Sequence, residues 1–184
     1  FIGSRIDLDV LRGWSGGLLA AACVLLALVF VPGLGRSANG ATRWLGPGSL
    51  SFQPAELAKV ALVLFLASNL LRHRARIGDV MDLLRLVVWP ALIVVALVLA
   101  EPDMGTAIVC VATATILCWV AGVRHRAVLG LLGLFVVAFG AAVAFAPYRM
   151  RRLTSFLDPS ADPLGSGFQA LQGKIAIGSG GITG

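Results

Sequence analysis

The chain has 184 residues, 58% of them hydrophobic and 13% charged, with a formal net charge of +6. So apolar a composition excludes an ordinary soluble domain. In a soluble protein the positive surplus would point to nucleic acid; here it is the Lys/Arg bias of membrane loops, and no nucleic-acid partner is expected.

The apolar residues fall into long charge-free blocks, which predicts an all-α, polytopic helical membrane protein. Five spans are expected, at about 13–35, 53–71, 83–101, 104–123 and 127–147, in one transmembrane domain over 1–184. The first, fourth and fifth are apolar over roughly the 20 residues that a helix needs to cross the hydrocarbon. The uncharged cores of the second and third, Val60–Leu71 and Leu86–Ala100, are too short alone. Each must borrow charged neighbours, Glu56 and Lys59 in one case and Glu101 and Asp103 in the other. These four charges are therefore expected near or below the membrane surface.

Arg5, Arg12, Arg72, Arg74, Arg76, Arg85, Arg124 and Arg126 share one side, which the positive-inside bias makes cytoplasmic. The segments 36–52 and 148–184 are then extracytoplasmic. No signal peptide is visible, the chain begins at Phe1, and Gly178–Gly184 closes no element, so it reads as an internal piece of a longer protein. Cys23, Cys110 and Cys118 lie in apolar blocks without CxxC spacing and read as small buried hydrophobes; no metal site is predicted.

Four motifs on the outer side can carry chemistry. In Asn39-Gly40-Ala41-Thr42-Arg43-Trp44, Trp44 suits an interfacial belt and Arg43 a forked phosphate contact. In Gln53-Pro54-Ala55-Glu56-Leu57-Ala58-Lys59, Pro54 suits a first helical turn, and Glu56 and Lys59 share a face. That pair either fastens a helix end or serves a function, since ionisable groups inside a span are expensive. In Glu101-Pro102-Asp103-Met104-Gly105-Thr106, Pro102 breaks a helix and Asp103 can cap the next. Capping explains one carboxylate but not two acids beside a membrane-depth Glu–Lys pair, where a carboxylate can act as general base or bind a cation. The fourth motif is Tyr148-Arg149-Met150-Arg151-Arg152, followed by Phe156-Leu157-Asp158-Pro159 and Asp162-Pro163-Leu164-Gly165. Its three arginines defy the positive-inside bias and suit an anionic ligand or a lipid headgroup. Gly178–Gly184 is no nucleotide loop: GxGxxG fails at Thr183 and no strand precedes it.

In order, spacing and sidedness these motifs resemble the SEDS family (shape, elongation, division and sporulation) of FtsW/RodA type, over nearly the whole chain. The resemblance implies a fold of about ten spans, of which the chain holds roughly the third to the seventh. It implies a multi-pass peptidoglycan glycosyltransferase of the bacterial cytoplasmic (inner) membrane that polymerises lipid II beside a class B penicillin-binding protein. It implies no cofactor and leaves room for a divalent cation. The family's catalytic aspartate stands in a His-Thr-Asp-Phe motif beyond Gly184, and neither Asp158 nor Asp162 replaces it. Within the chain Glu56, Lys59 and Asp103 are expected to line the cavity in supporting catalytic roles. Arg43, Trp44, Gln53, Arg149, Arg151 and Arg152 are expected to bind substrate, and membrane lipids to surround the spans. Tyr148-Arg149 and Phe168-Gln169 resemble the division type, and Lys174–Gly181 the rod-shape type. The rival classes are a lipid flippase or ion-coupled carrier, and a non-catalytic scaffold. Against a carrier stands the absence of charge from the cytoplasmic half of every span.

Overall fold

Apolar helices meet closely where their side chains are short, and this chain places its short residues at helical spacing. The computed structural model describes residues 8–38, 41–46, 51–74, 77–144, 150, 154, 157–161, 163, 165 and 167–180. In chain order it runs α1 (Leu8–Leu28), the strands β1 (Gly35–Ala38) and β2 (Ala41–Leu45), and α2 (Pro54–Arg72). Then come α3 (Val80–Leu83), a π-helical turn (Leu84–Val88) and α4 (Trp89–Ala100), continued by α5 (Met104–Val120) and α6 (His125–Ala144). A 3-10 turn (Pro159–Ala161) and α7 (Phe168–Gly180) follow.

Among the described residues four stretches are long and apolar enough to cross a membrane: Asp9–Leu28, Pro54–Arg72, Val80–Ala100 and His125–Ala144. The apolar helix α5, with 17 residues, is shorter. The chain divides into two compact units, Phe1–Gly133 and Leu134–Gly184.

In the first unit α2 is the hub, packed by α1, α4, α5 and the π-helical turn. Its buried face runs Ala55, Ala58, Ala61, Leu62, Leu66 and Leu70, the stripe that a 3.6-residue period produces. On α5 the buried positions are Thr106, Ala107, Cys110, Ala114 and Cys118, all short. The thiols of Cys110 and Cys118 are thus buried and free. An arginine fixes the sense of the first two helices: Arg72 Nη2, at the end of α2, donates to the Arg12 carbonyl near the start of α1 at 2.8 Å.

The helix α1 starts and stops earlier than the apolar block implies. Asp9 and Arg12 pair at 2.8 Å across one turn and so fit into the helix. Pro32 and Gly33, whose φ is +89°, then turn the chain. The strand β1 begins hard against that turn, where a Cβ on Gly35 would run into the Val29 carbonyl oxygen and crowd Thr42. Only glycine fits there.

The third helical stretch contains a proline and repairs the damage. Pro90 has no N–H, so the carbonyl of Leu86, four residues back, lacks its helical donor. The backbone widens just before it, with the Trp89 N–H donating to the Leu84 oxygen in π register. Asn69, on α2, donates its side-chain amide to the Leu86 oxygen at 3.2 Å. Asn69→Leu is expected to destabilise the full-length protein by about 1–3 kcal/mol, the penalty of leaving a part-buried carbonyl without a donor. In a Pro90→Ala background that carbonyl regains a helical donor, and the same change should cost at least about 1 kcal/mol less. Unfolding curves of the four proteins in detergent measure this; effects that add to within about 0.5 kcal/mol would refute the link.

In the second unit α7 forms within what the sequence presents as a loop. Gln169, Ala170, Leu171, Gln172 and Lys174 are good helix formers and carry the helix through Gly173 to Gly178 and Gly180.

Candidate active site

Asp103 is the N-cap of α5, and its Oδ1 accepts from the Thr106 N–H at 3.1 Å. Capping needs no more than this. Yet Oδ2 also accepts from the Thr106 hydroxyl at 3.0 Å and from Gln53 Nε2, at the head of α2, at 3.1 Å. Arg43 Nη1 lies 4.0 Å from the same oxygen. Three elements thus converge on one buried carboxylate.

A defect in the hairpin delivers Arg43. Gly35 pairs with Leu45 and Arg36 with Trp44, but Ser37 pairs with Thr42 and Ala38 with Ala41. Arg43 is left as the extra residue of a β-bulge, a device that re-aims a side chain. Its Nε donates to the Glu101 carbonyl at 3.0 Å and its Nη2 to the Pro102 carbonyl at 2.5 Å. Those oxygens belong to the turn that ends α4, where no further helix supplies donors. The cation also sits favourably at the negative end of that helix. The phosphate-reading fork expected of Arg43 is therefore largely taken up by the turn. Trp44, half-buried, stands opposite Arg36.

In the first turn of α2 Lys59 Nζ lies 2.8 Å from Glu56 Oε1, with side-chain exposures of 28% and 59%. A pair so exposed contributes roughly 0.5 kcal/mol, too little to make fastening a helix end its main role. Gln53, one turn before, links this helix end to Asp103. Arg149, Arg151 and Arg152 lie outside the described residues.

The sequence places Glu101 near the membrane surface as one of two adjacent acids but assigns it no role in the site; it is fully buried, with no hydrogen-bond partner for either carboxyl oxygen among the described residues. It stands in the turn just beyond the Val80–Ala100 stretch. Burial pushes its carboxyl up to about 7; the charge of Asp103 adds to the rise and that of Arg43 opposes it. The available signal was two acids flanking one proline at the end of an apolar block.

No group of three or more His, Cys, Asp or Glu side chains among the described residues is placed to hold a metal ion. Asp103 is taken up by Thr106, Gln53 and Arg43, so the described residues do not fit a divalent cation. A cavity of about 330 Å³ opens between the other ends of α2 and α5, lined by Leu70, Leu71, Leu117 and Val120 with Arg74. It lacks the converging polar groups of a reactive site.

Apolar helices of membrane-crossing length, with a polar cluster gathered at one end of α2, α4 and α5, define a polytopic helical membrane protein. The chain belongs to the FtsW/RodA/SpoVE family of cell cycle proteins, whose profile it matches over residues 1–184, and like them is a multi-pass protein of the bacterial cytoplasmic membrane. It is 40% identical over 190 residues to stage V sporulation protein E of Bacillus subtilis, covering 100% of this chain and 50% of that protein. To a probable peptidoglycan glycosyltransferase FtsW of Geobacter sp. it is 37% identical over 188 residues, with the same coverage. A chain from a peptidoglycan synthase complex that coordinates polymerization and crosslinking superposes with a TM-score of 0.73 at 42% identity, over 97% of this chain and 52% of that one. The crystal structure of the rod shape determining protein RodA of Thermus thermophilus gives 0.60 at 38% identity, over 72% and 43%. The chain therefore spans about half the length of the relatives it matches.

Proposed function

We propose that the full-length protein polymerises lipid II into glycan strands on the extracytoplasmic face of the membrane, with a class B penicillin-binding protein cross-linking the product. The observation that carries this reading is the convergence of Arg43, Gln53 and Asp103 at the same helix end as the Glu56–Lys59 pair. Relatives matched along the whole chain bear the glycosyltransferase name.

In the reaction a carboxylate takes the proton of an acceptor sugar hydroxyl. The hydroxyl oxygen attacks the anomeric carbon of the donor, and the bond to the lipid pyrophosphate breaks. The family resemblance puts that carboxylate in the His-Thr-Asp-Phe motif. Here Asp103, held on three sides, and the Glu56–Lys59 pair shape the polar wall against which the reacting groups align. By their chemistry the three arginines Arg149, Arg151 and Arg152 suit the pyrophosphate charge of the substrate and Trp44 suits a sugar face, while apolar helix faces suit the polyprenyl tail. Arg43 keeps Asp103 in place. No step is routed through a cation.

The rival reading, a flippase or carrier, requires polar groups leading to the opposite side as well. Full-length protein in liposomes with lipid II, alone and with its penicillin-binding partner, separates the two. Polymer that a muramidase digests is the expected product. Movement of lipid II across the bilayer without polymer would overturn the proposal.

A further inference from the structure

Among the described residues the carboxyl of Glu101 has no counter-charge of its own. Arg43, the guanidinium at this turn, gives Nε and Nη2 to the carbonyl oxygens of Glu101 and Pro102 and turns Nη1 toward Asp103. Asp103 is already served by Thr106 and Gln53. Glu56 and Lys59 of α2 pair with each other. The other titratable groups on the elements packed around α4 are Cys110 and Cys118 of α5, Cys23 of α1, and, at the opposite helix ends, Asp9 and Arg12 of α1, Arg72 of α2 and Arg85 of the π-helical turn. Arg43 balances Asp103 and Lys59 balances Glu56, so a charge on Glu101 would stand alone where water does not reach.

We propose that Glu101 is a positioning residue that works by holding a proton: as a neutral acid it lets the Glu101–Asp103 turn pack beneath Arg43, and on losing the proton it forces the turn, and Asp103 with it, out of place. Three consecutive residues link the two functions. The backbone oxygen of Glu101 anchors Arg43, its side chain sets whether the turn can stay buried, and Asp103 faces the site. The kinetic part of the inference rests on the proposed polymerising activity, whereas the proton itself does not.

Infrared difference spectra of the full-length protein in lipid, wild type minus Glu101→Gln, give the direct test. At about pH 6 a protonated-carboxyl C=O band is expected, shifted in D2O and vanishing as pH rises past about 7. No such band would overturn the proposal, whether or not the protein makes glycan. Polymerisation by the wild type should then fall about ten-fold per pH unit above that value, following the protonated fraction, while Glu101→Gln stays level. An equal alkaline fall in both proteins would also overturn it.

Thermal melting reads the turn without any activity. A raised acid keeps its proton in the folded state over a window in which the unfolded chain has lost it. Stability should therefore fall as pH rises from about 4.5 to about 7 in the wild type, by more than in Glu101→Gln. Parallel curves would refute the proposal. A band and a melting difference without polymer at any pH would uphold the proton on Glu101 and remove the proposed enzymatic function instead.

Discussion

Exchanging the partners of the ion pair on α2, Glu56→Lys with Lys59→Glu, should leave the full-length protein inserted and folded but slow glycan polymerisation about 100-fold. The Lys59–Glu56 separation of 2.8 Å and the exposure of Glu56 make this a surface pair in energetic terms. Its attraction survives the exchange. What the exchange sacrifices is the acid in the first turn, where the helix dipole favours it, a loss of roughly 0.5 kcal/mol. Stability should thus hardly change. Alignment should change greatly, since the carboxylate moves one turn along the helix and from the more exposed position to the less exposed one. Melting in detergent reads the first quantity, and glycan chain formation from lipid II the second. Near-normal synthesis by the swapped protein would reduce the pair to a helix fastening.

Asp103→Asn is the second variant with a large expected effect. Asparagine keeps one oxygen to accept from the Thr106 N–H, so α5 stays capped. Gln53 can turn its amide to offer an oxygen to the new NH2 group, and Thr106 can accept where it had donated. Arg43 remains on the Glu101 and Pro102 carbonyls. The fold should lose on the order of 1 kcal/mol. The cluster, however, loses its negative charge and leaves Arg43 unbalanced, and polymerisation should fall about 100-fold, equivalent to about 2.7 kcal/mol of transition-state stabilisation. A variant that melts like the wild type and polymerises like it would return Asp103 to a plain cap.

Much of this arrangement is written locally in the sequence. Charges at the edge of an apolar block announce themselves because the membrane tolerates few of them, so Glu56, Lys59 and Asp103 can be singled out without coordinates. Pro54 at a helix start and Asp103 before an apolar run have mechanisms that act within one turn. The unread features depend on pairing. Asn39-Gly40 between Ser37-Ala38 and Ala41-Thr42 is a hairpin signal in its own right, the pair that two-residue connections favour. Its consequence, the bulge at Arg43, depends on a register that the sequence does not print. The isolation of Glu101 is likewise a statement about three other elements. So is the role of Asn69, which is an unremarkable polar residue until Pro90 removes a donor on a neighbouring helix. The helix α7 was hidden because glycines near its end outweighed good formers in the middle.

The bulge makes the first hairpin sensitive to counting. Exposed loops commonly accept an added or missing residue with little penalty. Between Arg36 and Trp44 the alternation of faces is broken once, at Arg43, and the guanidinium reaches Glu101 and Pro102 from that position. One residue removed there would restore the regular ladder and turn the neighbouring side chains to the other face. One residue inserted would move the break. Chimaeras that graft this hairpin between relatives must therefore preserve its length from Gly35 to Gln53, even where residue identities are free to change.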